Sequence, residues 1–266
     1  MNIPTFVSSL DTIINGGVPS GSSILLLGEP GAGNYEFAFT SAAKLSRAIE
    51  GIIPRELENK DINILDGIIY ITLSKPASEI TRQLQLTMEE DLVKDLIRKI
   101  KIIDFSSIYY AKTQIPYSWI GGTHLRERED LMTSLVSSLE KEAKGKMIIL
   151  DSITDMITSK IFDDKMIFDL ARGISRAIKK WDSLLYALMT ADITTKENEN
   201  ILMDIFDGTM IFRWNTSDRF SRRKRFMFIP KFIGVLPRIE QERIERFDTD
   251  FDYKSGMVVL NTTKVK

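Results

Sequence analysis

The chain contains no cysteine, which excludes a disulfide framework, a cysteine zinc site and a thiol nucleophile. It has one histidine, His124, which gives a histidine dyad or a histidine metal cluster little support. No apolar run approaches the ~18 residues that span a bilayer. Met1–Ser9 lacks the basic start and apolar stretch of a signal peptide, so a cytoplasmic protein with no membrane partner is expected. The formal net charge of -1 supplies no global attraction to nucleic acid or to an anionic surface. No stretch rich in proline, glycine or serine divides the chain, and no internal repeat is visible. What is there is a chain of 266 residues, 43% hydrophobic and 27% charged, able to bury one large core. A single domain over 1–266 is expected.

Apolar segments of two kinds alternate along it. Ser23–Leu27, Gly67–Leu73, Met147–Asp151 (an apolar run stopping on a carboxylate) and Leu184–Met189 are short apolar runs that read as strands, and Lys101–Phe105 reads as a further strand. Tyr35–Ile49, a segment from Ser78, Leu125–Ala143 and Met166–Trp181 carry helical spacing. Gly208–Trp214, Arg225–Ile229 and Met257–Leu260 read as closing β segments without helices between them, placed antiparallel at one edge. Strands separated by helices predict an α/β fold with a mostly parallel central sheet flanked by helices on both faces.

Between the first strand and the first long helix stands Gly28-Glu29-Pro30-Gly31-Ala32-Gly33-Asn34-Tyr35. Its glycines match the phosphate-binding pattern G-x-x-x-x-G-K-[ST], in which backbone N–H groups cradle phosphates, a lysine reaches them and a hydroxyl holds Mg²⁺. Asn34 replaces the lysine and Tyr35 the Ser/Thr. Two readings follow: a cradle that still takes nucleotide, and a relic turn that binds nothing.

Segment Leu10–Ser22 (LDTIINGGVPSGS) resembles the entry to the nucleotide domain of KaiC and of the RadA branch of the RecA superfamily. Gly67–Leu73, the Walker B-like run Met147–Ser152 (MIILDS), Lys224–Gly234 and Gly256–Val259 resemble later segments of that family, in the same order. The resemblance spans nearly the whole chain and implies a RecA-like P-loop NTPase fold. It further implies an ATP or ADP site with Mg²⁺, in which Asp151 orients the metal and protomers share the nucleotide. Lys231 aligns with a family lysine that reaches a neighbour's nucleotide, but Ile233 stands where an arginine is expected.

The departures set the functional expectation. Asn34 cannot neutralise phosphate; a hydrogen bond to a charged group contributes roughly 1.5–3 kcal/mol, so nucleotide is weakened about ten- to a hundredfold. A phenol at Tyr35 is too long to hold Mg²⁺ as a serine would. Leu73-Ser74-Lys75-Pro76 lacks the family's water-orienting glutamate, and trans arginines contribute ~10³–10⁵ in rate. Lys75 is either a solvated loop residue or the replacement for the missing phosphate-site charge. Arg219–Arg225 is basic with an aromatic inside it, which fits a charged turn or a nucleic-acid contact. The acidic segment Ala191–Gly208 opposes phosphate contacts. Phe105, Tyr109, Tyr110, Tyr117 and Trp119 form a partner-docking cluster or tuck into the core. The expectation is a nucleotide-binding regulatory or assembly subunit with little or no catalysis, partnered by another protein or its own copy. The alternatives are a rewired ATPase and a DNA accessory protein.

Overall fold

The computed structural model describes residues 1–111, 113–120, 130–215, 224–241 and 244–264. The chain enters through a two-stranded ribbon, β1 (Asn2–Ile3) with β2 (Val18–Pro19), around α1 (Ser8–Ile13). Six further strands follow: β3 (Ser23–Gly28), β4 (Gly67–Thr72), β5 (Ile100–Asp104), β6 (Lys146–Asp151), β7 (Leu184–Thr190) and β8 (Gly208–Asn215). Helices join them. α2 (Asn34–Ile49) follows β3, while α3 (Ala77–Thr87) and α4 (Glu90–Lys99) follow β4. α5 (Ser106–Tyr110), α6 (Tyr117–Ile120) and α7 (Leu131–Glu142) precede β6. α8 (Ile153–Ser159) and α9 (Asp164–Trp181) precede β7, and α10 (Lys196–Ile205) precedes β8. The last elements are β9 (Lys224–Phe232), α11 (Leu236–Gln241), β10 (Ile244–Asp252) and β11 (Gly256–Lys264).

Among the described residues these strands form a nine-stranded sheet, ordered β11-β10-β9-β8-β3-β7-β6-β4-β5. From β8 to β5 every pairing is parallel, and β9, β10 and β11 add antiparallel. The central strands β3, β4, β6 and β7 are apolar on both faces because both faces are covered, whereas the edge strand β5 (IKIID) is only partly buried. Ile24, Leu26, Ile68 and Tyr70 enter one core with α2, α3 and α4. Leu25, Leu27, Ile69 and Ile71 enter the other with α7, α8 and α9. Truncating such a leucine to alanine costs about 2–5 kcal/mol. Helix starts are set by side chains: Asp163 accepts the Met166 N–H at 2.7 Å, and Asp130 the Thr133 N–H at 2.7 Å.

Two sequence expectations change. Gly208–Trp214 is not an antiparallel addition: β8 runs parallel to β3 near the middle of the sheet. The cause is α10, which carries the chain back across a face after β7. Its acidic first turn, Glu197 and Glu199, favours the helix N-terminus. The sequence reading also passed over β10, whose alternating pattern IERFDTDFD places apolar residues on one face. Phe105 and Tyr109 are buried, whereas Trp119 is exposed. His124 and Arg219–Arg223 lie outside the described residues, as does the start of the helix expected from Leu125.

Candidate phosphate-binding site

The carboxyl ends of the parallel strands β3 and β6 deliver the two halves of the site. β3 stops at Gly28, and the chain turns through Gly31 (φ 73) and Gly33 (φ 122) into α2. Both conformations are open to glycine and strained for other residues. The Ala32 N–H donates to Glu29 O at 2.9 Å, and the Glu29 N–H donates to Phe212 O at 3.0 Å. Among the described residues the N–H groups of Gly31, Gly33, Asn34 and Tyr35 find no acceptor, and Gly33 caps α2 without a side chain. Such a row of free donors at the positive end of a helix suits a phosphate anion.

The outer half of the loop is clamped by β8. Glu29 accepts from Arg213 Nη1 at 2.8 Å and from the Trp214 N–H at 2.9 Å. The Trp214 indole donates to Pro30 O at 3.0 Å, and the Arg225 guanidinium lies 5.0 Å from the Trp214 ring. Arg225 also pairs with Glu36 in the first turn of α2, at 3.4 Å. Glu29 and Glu36 therefore carry their own counter-charges. Sequence reasoning did not find this clamp; its signal was the Arg213-Trp214 pair closing an apolar strand.

Asn34 turns under the loop. It is 4% exposed, and its Nδ2 makes long contacts to Leu26 O at 3.4 Å and Met189 O at 3.5 Å. It packs so closely over Gly28 that a Cβ there would lie 2.5 Å from Asn34 Cγ. Position 34 thus contributes its backbone to the cradle and its side chain to the sheet.

Asp151, 1% exposed at the end of β6, has both oxygens engaged. The Tyr35 hydroxyl donates to Oδ1 at 2.6 Å, and the Tyr70 hydroxyl donates to Oδ2 at 2.7 Å. Lys75 Nζ stands 3.4 Å from Oδ2 and 4.9 Å from the centre of the Tyr35 ring. A turn aims Lys75 inward: Thr72 Oγ1 donates to Lys75 O at 2.7 Å and accepts its N–H at 3.2 Å. Burial, then the charge of Asp151, pushes both phenols well above their ordinary range, so they stay protonated donors. Asp155, which accepts from Ser152 Oγ at 2.9 Å, is also raised, chiefly by burial. Tyr70 was missed by sequence reasoning; a hydroxyl inside the otherwise apolar run GIIYIT was the available signal.

The residues that the family resemblance assigns to Mg²⁺ do not fit a divalent cation here. Both Asp151 oxygens already accept strong hydrogen bonds, one also faces an ammonium, and Tyr35 presents its O–H as a donor. Among the described residues no cluster of three acidic or histidine side chains offers another metal site. Lys231 is placed apart from the loop, opposite Thr209 near the start of β8. Its Nζ donates to the carbonyls closing α10, Met203 O at 3.2 Å and Asp204 O.

A parallel sheet with helices on both faces, a glycine loop leading from β3 into α2, and antiparallel closing strands are the features of a RecA-like fold. The chain is similar to a KaiC-like protein from the hyperthermophilic archaeon Pyrococcus horikoshii, with TM-score 0.64 and 16% identity over 98% of this chain and 99% of that one. It is also similar to the flagellar accessory protein FlaH from Methanocaldococcus jannaschii, with TM-score 0.61 and 14% identity over 95% of each chain. At these identities the likeness is one of fold. No protein-family model and no curated protein matches the sequence.

Proposed function

We propose that this protein is a nucleotide-binding subunit of the RecA-like kind that regulates or assembles rather than hydrolyses. One contrast carries the reading: the backbone cradle at Gly31–Tyr35 is open, while the Asp151 corner is closed by Tyr35, Tyr70 and Lys75. An open cradle binds phosphate; a carboxylate with all its partners inside the protein is not free to organise the attack of water. The ligand is ATP or ADP, bound more weakly than by a loop with its lysine. That one structural neighbour is named an accessory protein is in keeping with a role exercised through partners. The partner is another protein or a second copy of this chain, in the cytoplasm.

Calorimetric titration with ATP and ADP, alongside a phosphate-release assay, tests the reading. Binding in the tens to hundreds of micromolar without turnover is expected. No heat at millimolar nucleotide would leave a RecA-shaped scaffold whose work lies on its surfaces. Mg²⁺-dependent turnover that disappears in Asp151→Ala would replace the proposal with a rewired ATPase. Light scattering at high concentration tests self-assembly, and a monomer would remove that part.

A further inference from the structure

We infer that Lys75 takes over the charge that a loop lysine and a metal ion ordinarily supply, so that the site holds its nucleotide as the metal-free anion. This rests on the nucleotide-binding reading above and specifies how that site works. Asn34 contributes no charge, and the donor set around Asp151 excludes a divalent cation, so a bound phosphate needs another cation. Glu29 and Glu36 are matched by Arg213 and Arg225. Among the described residues, Lys75 supplies the ammonium at the corner. Its Nζ lies 4.9 Å from the centre of the ring of Tyr35, a residue of the first turn of α2, the helix that the loop leads into.

The contacts also allow Lys75 to be released. Its ion pair with Asp151 is the longest of the three interactions on that carboxylate, 3.4 Å against 2.6 Å and 2.7 Å for the phenols. Its side chain is 29% exposed, while Asp151 is buried. When the ammonium swings toward a phosphate on the cradle, each Asp151 oxygen keeps a strong hydrogen bond from a tyrosine that cannot ionise near neutrality. The buried carboxylate is never left unpartnered, which would otherwise oppose the movement. Two phenols in place of a serine and a water thus make the lysine available.

The test is calorimetric titration of ADP into the full chain, in EDTA and in excess Mg²⁺, with Lys75→Ala, Lys75→Arg and Tyr35→Ser beside the wild type. Circular dichroism and melting confirm that each variant is folded. The wild-type affinity is expected to agree within about twofold between the two buffers. Lys75→Ala weakens it about tenfold or more in both, and Lys75→Arg retains most of it. Tyr35→Ser, which frees Asp151 Oδ1 and restores a short hydroxyl, makes binding improve with Mg²⁺. Wild-type binding that is lost in EDTA overturns the inference and leaves the nucleotide-binding function standing. Unchanged affinity in Lys75→Ala overturns the assignment of Lys75 alone. No binding in either buffer overturns both the function and the inference.

Discussion

The Gly28–Gly33 loop and the Asp151 corner both sit at the carboxyl ends of parallel strands but are built from different material. The loop is backbone: positive-φ glycines and unpaired N–H groups, a shape indifferent to most side chains. The corner is side chain: a carboxylate, two phenols and an ammonium within hydrogen-bond or ion-pair distance of one another. The difference teaches how such a site changes. A cradle made of main chain keeps its shape with Asn34 and Tyr35 at the positions where the phosphate-binding pattern has Lys and Ser/Thr. A corner made of side chains can be rebuilt into a closed cluster without disturbing the strands that carry it.

That comparison predicts stability effects at the corner and binding effects at the loop. The largest is Asp151→Ala, which leaves the buried hydroxyls of Tyr35 and Tyr70 without their acceptor. Urea denaturation should show a loss of about 3–4 kcal/mol; a loss under 1 kcal/mol would mean the corner is not a structural cluster. Next is Gly33→Ala, where φ 122 strains any side chain. It should cost about 1–3 kcal/mol and drop ADP binding below calorimetric detection. Retained affinity there would break the contrast from the loop side. Tyr35→Phe removes one hydrogen bond to a charged acceptor and should cost about 2 kcal/mol. Trp214→Ala, which opens the clamp on Pro30, should lower stability by about 1 kcal/mol and weaken ADP several-fold.

A further effect concerns pH and lies away from both regions. Asp11 is wholly buried and accepts from the Thr5 N–H at 2.8 Å, Thr5 Oγ1 at 2.7 Å and the Phe6 N–H at 2.7 Å. Burial outweighs these bonds and pushes its pKa from 3.8 up to about 7. The native state therefore holds a proton that the unfolded chain releases at lower pH. Stability is fullest below pH 3.8 for this group and declines as pH rises through about 7. Asp155, also raised, adds to the decline, whereas the protonated tyrosines of the corner add nothing near neutrality. Melting temperatures between pH 5 and 8 should fall in the wild type and fall less in Asp11→Asn.

The central strands β3, β4, β6 and β7 were legible because burial on both faces writes them as apolar runs. The loop was legible because its glycines meet a backbone requirement that no other residue satisfies well. β8 was placed wrongly because α10 is short and acidic, and its helical character shows in capping and packing more than in periodicity. The corner was half legible. Asp151 ends its strand in plain view, but Tyr35 reads as a lost ligand until the fold brings it to Asp151, 116 positions away. Tyr70 and Lys75 reach the same carboxylate only because β4 lies beside β6. Contacts made by neighbouring strands leave no local pattern.

The last strand returns to the first functional segment. Met257 N–H donates to Thr40 Oγ1 at 2.8 Å, and the Met257 methyl would lie 2.7 Å from any Cβ at Gly33. The loop and the strand that roofs it belong to segments more than two hundred residues apart in the sequence. The cradle is therefore finished only when the antiparallel end of the sheet has docked, which makes its shape a product of the completed fold.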